Sequence, residues 1–220
     1  MKKLFFLAAI MMMAISASAQ DGFGDDDGGF GFGRDKRKNV VSLGIKGGAN
    51  YSSMTKYKEV DFGLKSGIGF EAGAVIAARF GKRTQGSDAG TGMFALQIEP
   101  SYVQHTIGTD NDDIKLNCLE VPILLKIYVT PNFNIEVGPN ISGTLSVSPD
   151  YLTKDNVRIA IGDIKGFDVK VCVGASYELK SGLFANLRYN LGTSELAKNF
   201  PCKVSAASLT IGYKFNIFKF

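Results

Sequence analysis

The sequence is poor in the residues that build metal centres and redox sites. It has no tryptophan, one histidine (His105) and three cysteines in 220 residues. Any imidazole chemistry has to use His105, and Cys118, Cys172 and Cys202 are too far apart for a typical zinc site. We therefore predict no metal and no cofactor. We expect the cysteines to be buried thiols, with one disulfide as the alternative.

Long apolar runs are also nearly absent. The one such run, from Leu4 to Ile15, follows two lysines and precedes the small residues Ala17-Ser18-Ala19, as in a secretory signal peptide cleaved before Gln20. No later stretch reaches the roughly 18 apolar residues that a membrane helix needs. The sequence thus predicts an exported chain that is either soluble or a β-barrel.

Three regions follow from the composition. Residues 1–19 are the predicted signal peptide, and residues 20–39 are a Gly/Asp-rich and then basic segment that cannot bury enough apolar surface to fold. We expect this segment to be a flexible tether; the alternative is that Asp25, Asp26 and Asp27 bind a cation or a periplasmic partner. Residues 40–220 form one predicted domain. The net charge of +4 is modest and scattered, which argues against a nucleic-acid partner.

From Val40 onward, apolar and polar residues alternate with a period of two, which is typical of β-strands. The lengths suit tilted membrane strands, and eight is the smallest usual number in an outer-membrane barrel. We predict an all-β fold, an eight-stranded antiparallel up-and-down transmembrane β-barrel. The predicted strands are 40–50, 66–80, 93–106, 116–129, 133–147, 166–178, 183–192 and 204–218.

The connections alternate in length. Links 130–132 and 179–182 are short, and 81–92 is long for a turn but rich in glycine. The other four links, 51–65, 107–115, 148–165 and 193–203, are longer. Short turns lie in the periplasm and longer loops outside in such barrels. We expect a partner, if there is one, to bind the charged 148–165 loop or the N-terminal segment.

Charged residues recur on the polar face of the strands, six acidic and six basic. A narrow eight-stranded lumen has room for side chains only, so balanced charges predict cross-strand ion pairs and a polar plug. A soluble lipocalin-like barrel would instead place the apolar face inside; the terminal Phe220, typical of membrane barrels, argues against it. The lumenal ion-pair candidates are Lys46, Glu71, Arg79, Glu99, Glu120, Lys126, Glu136, Asp168, Lys170, Glu178, Arg188 and Lys214.

Local irregularities are also predicted. Pro122 removes a ladder donor, so we expect a bulge or altered pairing there. The alternation fails before Phe220, which predicts a bulge or frayed end near Phe218. Aromatic residues near strand ends predict interfacial girdles. They are Tyr51, Tyr57, Phe62, Tyr102, Tyr128, Phe133, Tyr151, Tyr177, Phe184, Tyr189, Phe200, Phe215 and Phe218.

One strand carries a family resemblance. Residues 119–126, Leu-Glu-Val-Pro-Ile-Leu-Leu-Lys, resemble the Leu-Glu-Ile-Pro-Leu-Leu-Leu-Lys strand of PorT-like outer-membrane β-barrel proteins of Bacteroidota. Gly138-Pro139-Asn140, residues 176–179 and residues 188–192 are similar as well. The resemblance implies an eight-stranded outer-membrane barrel without catalytic chemistry. The namesake is associated with a protein secretion and gliding system, but a shared fold does not carry that role over.

We therefore expect a non-enzymatic protein of the Gram-negative outer membrane, with a structural or loop-mediated interaction role. The alternatives are an accessory component of a secretion or envelope machine and a small-solute channel. Expected partners are outer-membrane lipid, the barrel-assembly machinery during insertion, and an envelope protein. A lipid-active enzyme is the weakest alternative, because Ser101, His105 and Glu99 are spread along one strand instead of converging.

Overall fold

The computed structural model describes residues 39–54, 64–80, 93–109, 113–149, 151–154, 157–160, 166–193 and 202–219. Within these ranges, no helix is long and apolar enough to cross a membrane. The predicted signal peptide, the segment 20–38 and Phe220 lie outside the described residues. The strands are β1 (Val40–Met54), β2 (Lys65–Phe80), β3 (Phe94–Ile98), β4 (Ser101–Gly108), β5 (Ile114–Tyr128), β6 (Phe133–Ser148), β7 (Tyr151–Lys154), β8 (Val157–Ala160), β9 (Phe167–Glu178), β10 (Leu183–Gly192) and β11 (Val204–Lys219).

Nine of these strands form one closed antiparallel barrel. The order around the sheet is β1-β11-β10-β9-β6-β5, followed by β3 and β4 and then β2, which pairs back with β1. Strands β3 and β4 are two parts of one crossing, because both pair with β2 and with β5 and only Glu99 and Pro100 separate them. The barrel therefore has eight crossings, and the predicted fold class is confirmed.

The boundaries agree with the predicted strands to within a few residues, and β10 has the predicted limits. Two features differ. The third predicted strand is broken at Glu99–Pro100, and the 148–165 connection contains an additional hairpin, β7–β8, that pairs only with itself. Four-residue strands are too short to show a period of two, so the sequence pattern could not reveal this hairpin.

Alternation along each strand separates apolar and polar side chains. On β10, Leu183, Leu187 and Leu191 face outward, whereas Asn186 and Arg188 are buried. The same holds around the barrel: Ile211 on β11 is 64% exposed, while Lys126 on β5 is fully buried. A lipocalin-like barrel would have the opposite arrangement. An exposed apolar belt of this size is stable in hydrocarbon and not in water.

Both predicted irregularities are found at or beside the predicted places. Ile217 is an extra residue, since Val41 pairs with Phe218 and Ser42 with Asn216. This is the irregularity expected near Phe218. No bulge occurs at Pro122, whose register continues unbroken on both sides. The predicted alternative, an altered pairing, is found: the neighbouring crossing is interrupted at Glu99–Pro100, opposite Pro122, because neither proline can donate to the ladder.

The aromatic residues form two outward-facing groups near the ends of the barrel. Tyr51, Phe70 and Tyr102 lie toward the loop end, and the Phe70 and Tyr102 rings are 6.0 Å apart. Toward the turn end, Phe133, Tyr177, Tyr213 and Phe215 are exposed. Two residues expected in these girdles are buried in the lumen instead, namely Tyr128 and Phe184. Tyr128 is an even number of residues from Lys126, and Phe184 is an even number of residues from Arg188. The period of two therefore places both rings on the lumenal face. Tyr57, Phe62, Phe200 and the Tyr151 side chain lie outside the described part.

Candidate functional site: a charge-paired lumen

Eight of the predicted charges form one continuous chain of alternating sign through the interior. Each of the eight crossings contributes one member, and every inner member contacts two opposite charges. We call this set the ion chain. Its N–O separations, in order, are Glu71–Lys46 2.8 Å, Lys46–Glu99 2.8 Å, Glu99–Arg188 2.8 Å, Arg188–Glu136 2.7 Å, Glu136–Lys126 3.3 Å, Lys126–Glu178 3.1 Å and Glu178–Lys214 2.6 Å.

Arg188 is the central cation of the ion chain. Its Nη1 and Nη2 donate to the two carboxylate oxygens of Glu99, and its Nε donates to Glu136 Oε1 at 2.8 Å. The arginine side chain is 3% exposed. A planar guanidinium suits this double bridge better than an ammonium, because its donors are fixed in a fork. Removal of this one side chain would take from each of two buried carboxylates, Glu99 and Glu136, one of its two cationic partners.

A second group, the Glu120 cluster, lies closer to the loop end of the barrel. Glu120 accepts hydrogen bonds from Lys170 at 2.5 Å, Asn140 at 2.6 Å and Ser142 at 3.3 Å. Its Oε1 is also 2.9 Å from His105 Nε2. All of these side chains are buried. The carboxylate is therefore surrounded by polar partners from three other crossings, which compensates for its removal from water.

His105 does not meet the residues that the sequence offered as its partners. Glu99 belongs to the ion chain, and the Ser101 hydroxyl donates to the Glu99 main-chain carbonyl. Instead, His105 Nδ1 lies 2.7 Å from Ser52 Oγ. Ser52 was missed because the first strand was predicted to end at residue 50. In a longer strand it shares the face of Lys46, so the period of two could have found it.

Ser52, His105 and Glu120 thus follow each other in the order used for nucleophilic catalysis. The surroundings do not suit that chemistry. The Ser52 side chain is fully buried, so a substrate carbonyl cannot contact its hydroxyl in this conformation. Lys170 Nζ also lies 3.2 Å from His105 Nε2, the nitrogen that contacts Glu120. What the structure shows is a hydrogen-bonded group of side chains within the lumen.

The two remaining predicted candidates lie at the ends of the lumen. The Arg79 guanidinium is 3.4 Å from the centroid of the Tyr128 ring, near the turn end, and the Tyr128 hydroxyl donates to Glu178 at 3.0 Å. Asp168 is buried near the start of β9, toward the loop end. Neither belongs to the ion chain.

Apolar side chains fill the lumen at the loop end, which the sequence analysis did not predict. Ile107, Ile114, Leu116 and Val204 point inward there and are almost completely buried, as is Cys202. These residues lie on the same face as the charges, so they form an apolar layer above the polar one. Cys118 and Cys172 are buried free thiols. Among the described residues, no group of histidine, cysteine and acidic side chains could hold a metal ion.

Comparisons with known proteins give a match to one family model and similarity to several solved structures. Residues 29–197 match a family model described as outer membrane protein beta-barrel domain. No curated protein matches the sequence. Among solved structures, the chain is similar to the attachment invasion locus protein Ail of Yersinia pestis, in complex with the heparin analogue sucrose octasulfate (12% identity, 81% of this chain and 99% of that chain, TM-score 0.47). It is also similar to Neisserial surface protein A (15%, 80% and 97%, TM-score 0.45) and to OprG of Pseudomonas aeruginosa (14%, 82% and 96%, TM-score 0.33).

Proposed function

Because the chain belongs to the outer membrane protein beta-barrel domain family, we propose that it is a non-enzymatic barrel closed by its own lumenal ion pairs. It is an outer-membrane β-barrel protein. Its proposed role is structural, or is carried by its outer loops through interaction with another envelope protein. Export through a cleaved signal peptide, contact with outer-membrane lipid and insertion by the barrel-assembly machinery belong to this proposal.

The burial of the lumenal charges carries the proposal. Lys126 and Glu136 are fully buried, and Arg188 and Glu99 nearly so, although all four side chains lie inside a transmembrane cylinder. An aqueous pore would leave such side chains in contact with water. Here they contact one another, so the cross-section is occupied by protein. This argues against the small-solute channel.

The PorT-like assignment to Bacteroidota is also part of the proposal. Its support is the 119–126 segment, which forms the middle of β5. Glu120 from this segment centres one polar cluster, and Lys126 belongs to the ion chain. The charged residues of the motif therefore fill the lumen, which fits a role in building the barrel. A role in a secretion or envelope machine would have to reside in the loops or in residues 20–39.

Planar-bilayer recording tests the closed lumen directly. We expect the purified, refolded protein to add no steady conductance to a lipid bilayer, because no continuous aqueous path would pass the ion chain. Heat-dependent mobility on a gel would establish that the inserted protein is folded. A large, stable single-channel conductance from folded protein would overturn the proposal.

A further inference from the structure

The break between β3 and β4 coincides with a missing hydrogen bond. Glu99 stands opposite Pro122 in the ladder, and its amide donates to the Pro122 carbonyl at 3.1 Å. Residues paired in this way in an antiparallel sheet exchange two hydrogen bonds. Proline has no amide hydrogen, so the return bond from Pro122 to the Glu99 carbonyl cannot form. The barrel has to satisfy this buried carbonyl in another way.

Ser101 supplies the missing donor. Its hydroxyl donates to the Glu99 carbonyl at 3.1 Å, and both residues are buried. The opposite residue on β2 is Gly73, and a side-chain carbon placed there would lie 2.2 Å from the Ser101 hydroxyl oxygen. The absence of a side chain at position 73 therefore leaves the space in which the hydroxyl sits.

Glu99, at the break between β3 and β4, carries a carboxylate that needs an exact position. Its carboxylate bridges Lys46 and Arg188, and it also accepts a hydrogen bond from Gln97. Its backbone is flanked by the break in the crossing, where the regular ladder does not hold it. We propose that Ser101 is a positioning residue: its hydroxyl replaces the amide hydrogen that Pro122 lacks and holds Glu99 where its carboxylate joins Lys46 to Arg188.

A double-mutant cycle between positions 101 and 122 tests the substitution of one donor for another. Ser101→Ala leaves the Glu99 carbonyl without its donor, and we expect the folded-to-unfolded ratio in urea to fall about 5- to 30-fold. Ser101→Thr keeps the hydroxyl and should stay close to the wild type. In a Pro122→Ala background, the new amide hydrogen can reach the carbonyl, so Ser101→Ala should cost much less.

Ser208→Ala is the matched control. Ser208 is also a buried lumenal serine, but within the described part of the chain its hydroxyl has no hydrogen-bond partner. Its removal should have little effect, and the effect should be the same in both backgrounds. An equal loss for Ser101→Ala in the wild-type and in the Pro122→Ala background would overturn the proposal. If Pro122→Ala fails to fold, a Ser101→Thr variant as unstable as Ser101→Ala would overturn it as well.

A second measurement follows the carboxylate. The NMR signals of the Arg188 Nη–H groups, which donate to Glu99, should shift in Ser101→Ala in detergent micelles, stay in place in Ser208→Ala, and return in the double variant with Pro122→Ala. An unchanged Arg188 signal in Ser101→Ala would show that the hydroxyl does not position Glu99. Neither measurement depends on the closed lumen. A conducting wild-type barrel would contradict the proposed function and leave this cycle unaffected.

Discussion

Arg188 and Glu99 form a two-pronged ion pair inside the barrel, with Nη1–Oε2 at 2.8 Å and Nη2–Oε1 at 3.0 Å. The two residues are 89 positions apart in the sequence, on crossings that are not neighbours in the sheet. The pair therefore spans the lumen and fastens one wall of the barrel to another. Its neighbours in the ion chain, Lys46 and Glu136, extend this bracing to further crossings.

Arg188→Met should be among the most damaging lumenal substitutions. It retains an apolar stem but leaves Glu99 and Glu136 buried without their shared cation, at a cost of about 3–5 kcal/mol in the free energy of unfolding. Urea unfolding of the refolded protein in lipid vesicles measures this change. Arg188→Lys keeps the charge but loses the fork, and should fall between the wild type and Arg188→Met. A loss below about 1 kcal/mol for Arg188→Met, the size of an exposed ion pair, would contradict the prediction.

The cost of removing a lysine should depend on its place in the ion chain. Lys126 has two carboxylate partners, Glu136 and Glu178, so Lys126→Met should also cost about 3–5 kcal/mol. Lys214 is the terminal member of the ion chain. If it is removed, its partner Glu178 still contacts Lys126, and the side chains of Lys214 and Glu178 are slightly exposed. We expect Lys214→Met to cost roughly 1 kcal/mol, as for a single hydrogen bond. The two variants can be compared by urea unfolding, and equal losses would argue against an ordered chain.

The cost of placing a charge on the outward face should depend on its depth in the membrane. Ile211 is near the middle of β11 and 64% exposed, so Ile211→Arg should cost about 2–4 kcal/mol in vesicles. Phe167 is 75% exposed but begins β9 at the loop end, where the same substitution should cost roughly 0–1 kcal/mol. The unfolding free energies of the two variants show which position lies within the hydrocarbon layer. Similar costs at the two positions would be inconsistent with it.

The Ser52–His105–Glu120 arrangement should prove structural. Both Ser52→Ala and His105→Asn remove a buried hydrogen-bonding group, so each should lower the free energy of unfolding by about 1–3 kcal/mol. Neither should change the composition of lipid A, because the Ser52 hydroxyl is out of reach of a substrate. Mass spectrometry of lipid A from cells that produce each variant checks this. A modification that depends on both residues would establish a catalytic role.

The sequence predicted the fold and the lumenal face because a period of two needs only local information. The alternation of apolar and polar residues alone assigned Lys46, Glu120 and Arg188 to the lumenal side of their strands. It could not assign partners, since the pairing of Arg188 with Glu99 depends on the register of strands far apart in the chain. Nor could it reveal the apolar layer around Ile107 and Leu116, because the usual sides are reversed there. The apolar side chains face the lumen, and the polar Lys115 and Asn117 lie on the outward face. The break at Glu99 required knowledge that Pro122 stands opposite.

Every crossing contributes one charged residue to the ion chain, so the chain is complete only when all eight crossings are in place. A partly assembled barrel would carry buried carboxylates and ammonium groups whose second partners are still elsewhere on the polypeptide, and charges without partners are costly in hydrocarbon. Partial insertion is thus penalised until the last strand arrives with Lys214 and closes against the first. We therefore expect the residues that fill the finished cylinder to favour insertion of the eight crossings together.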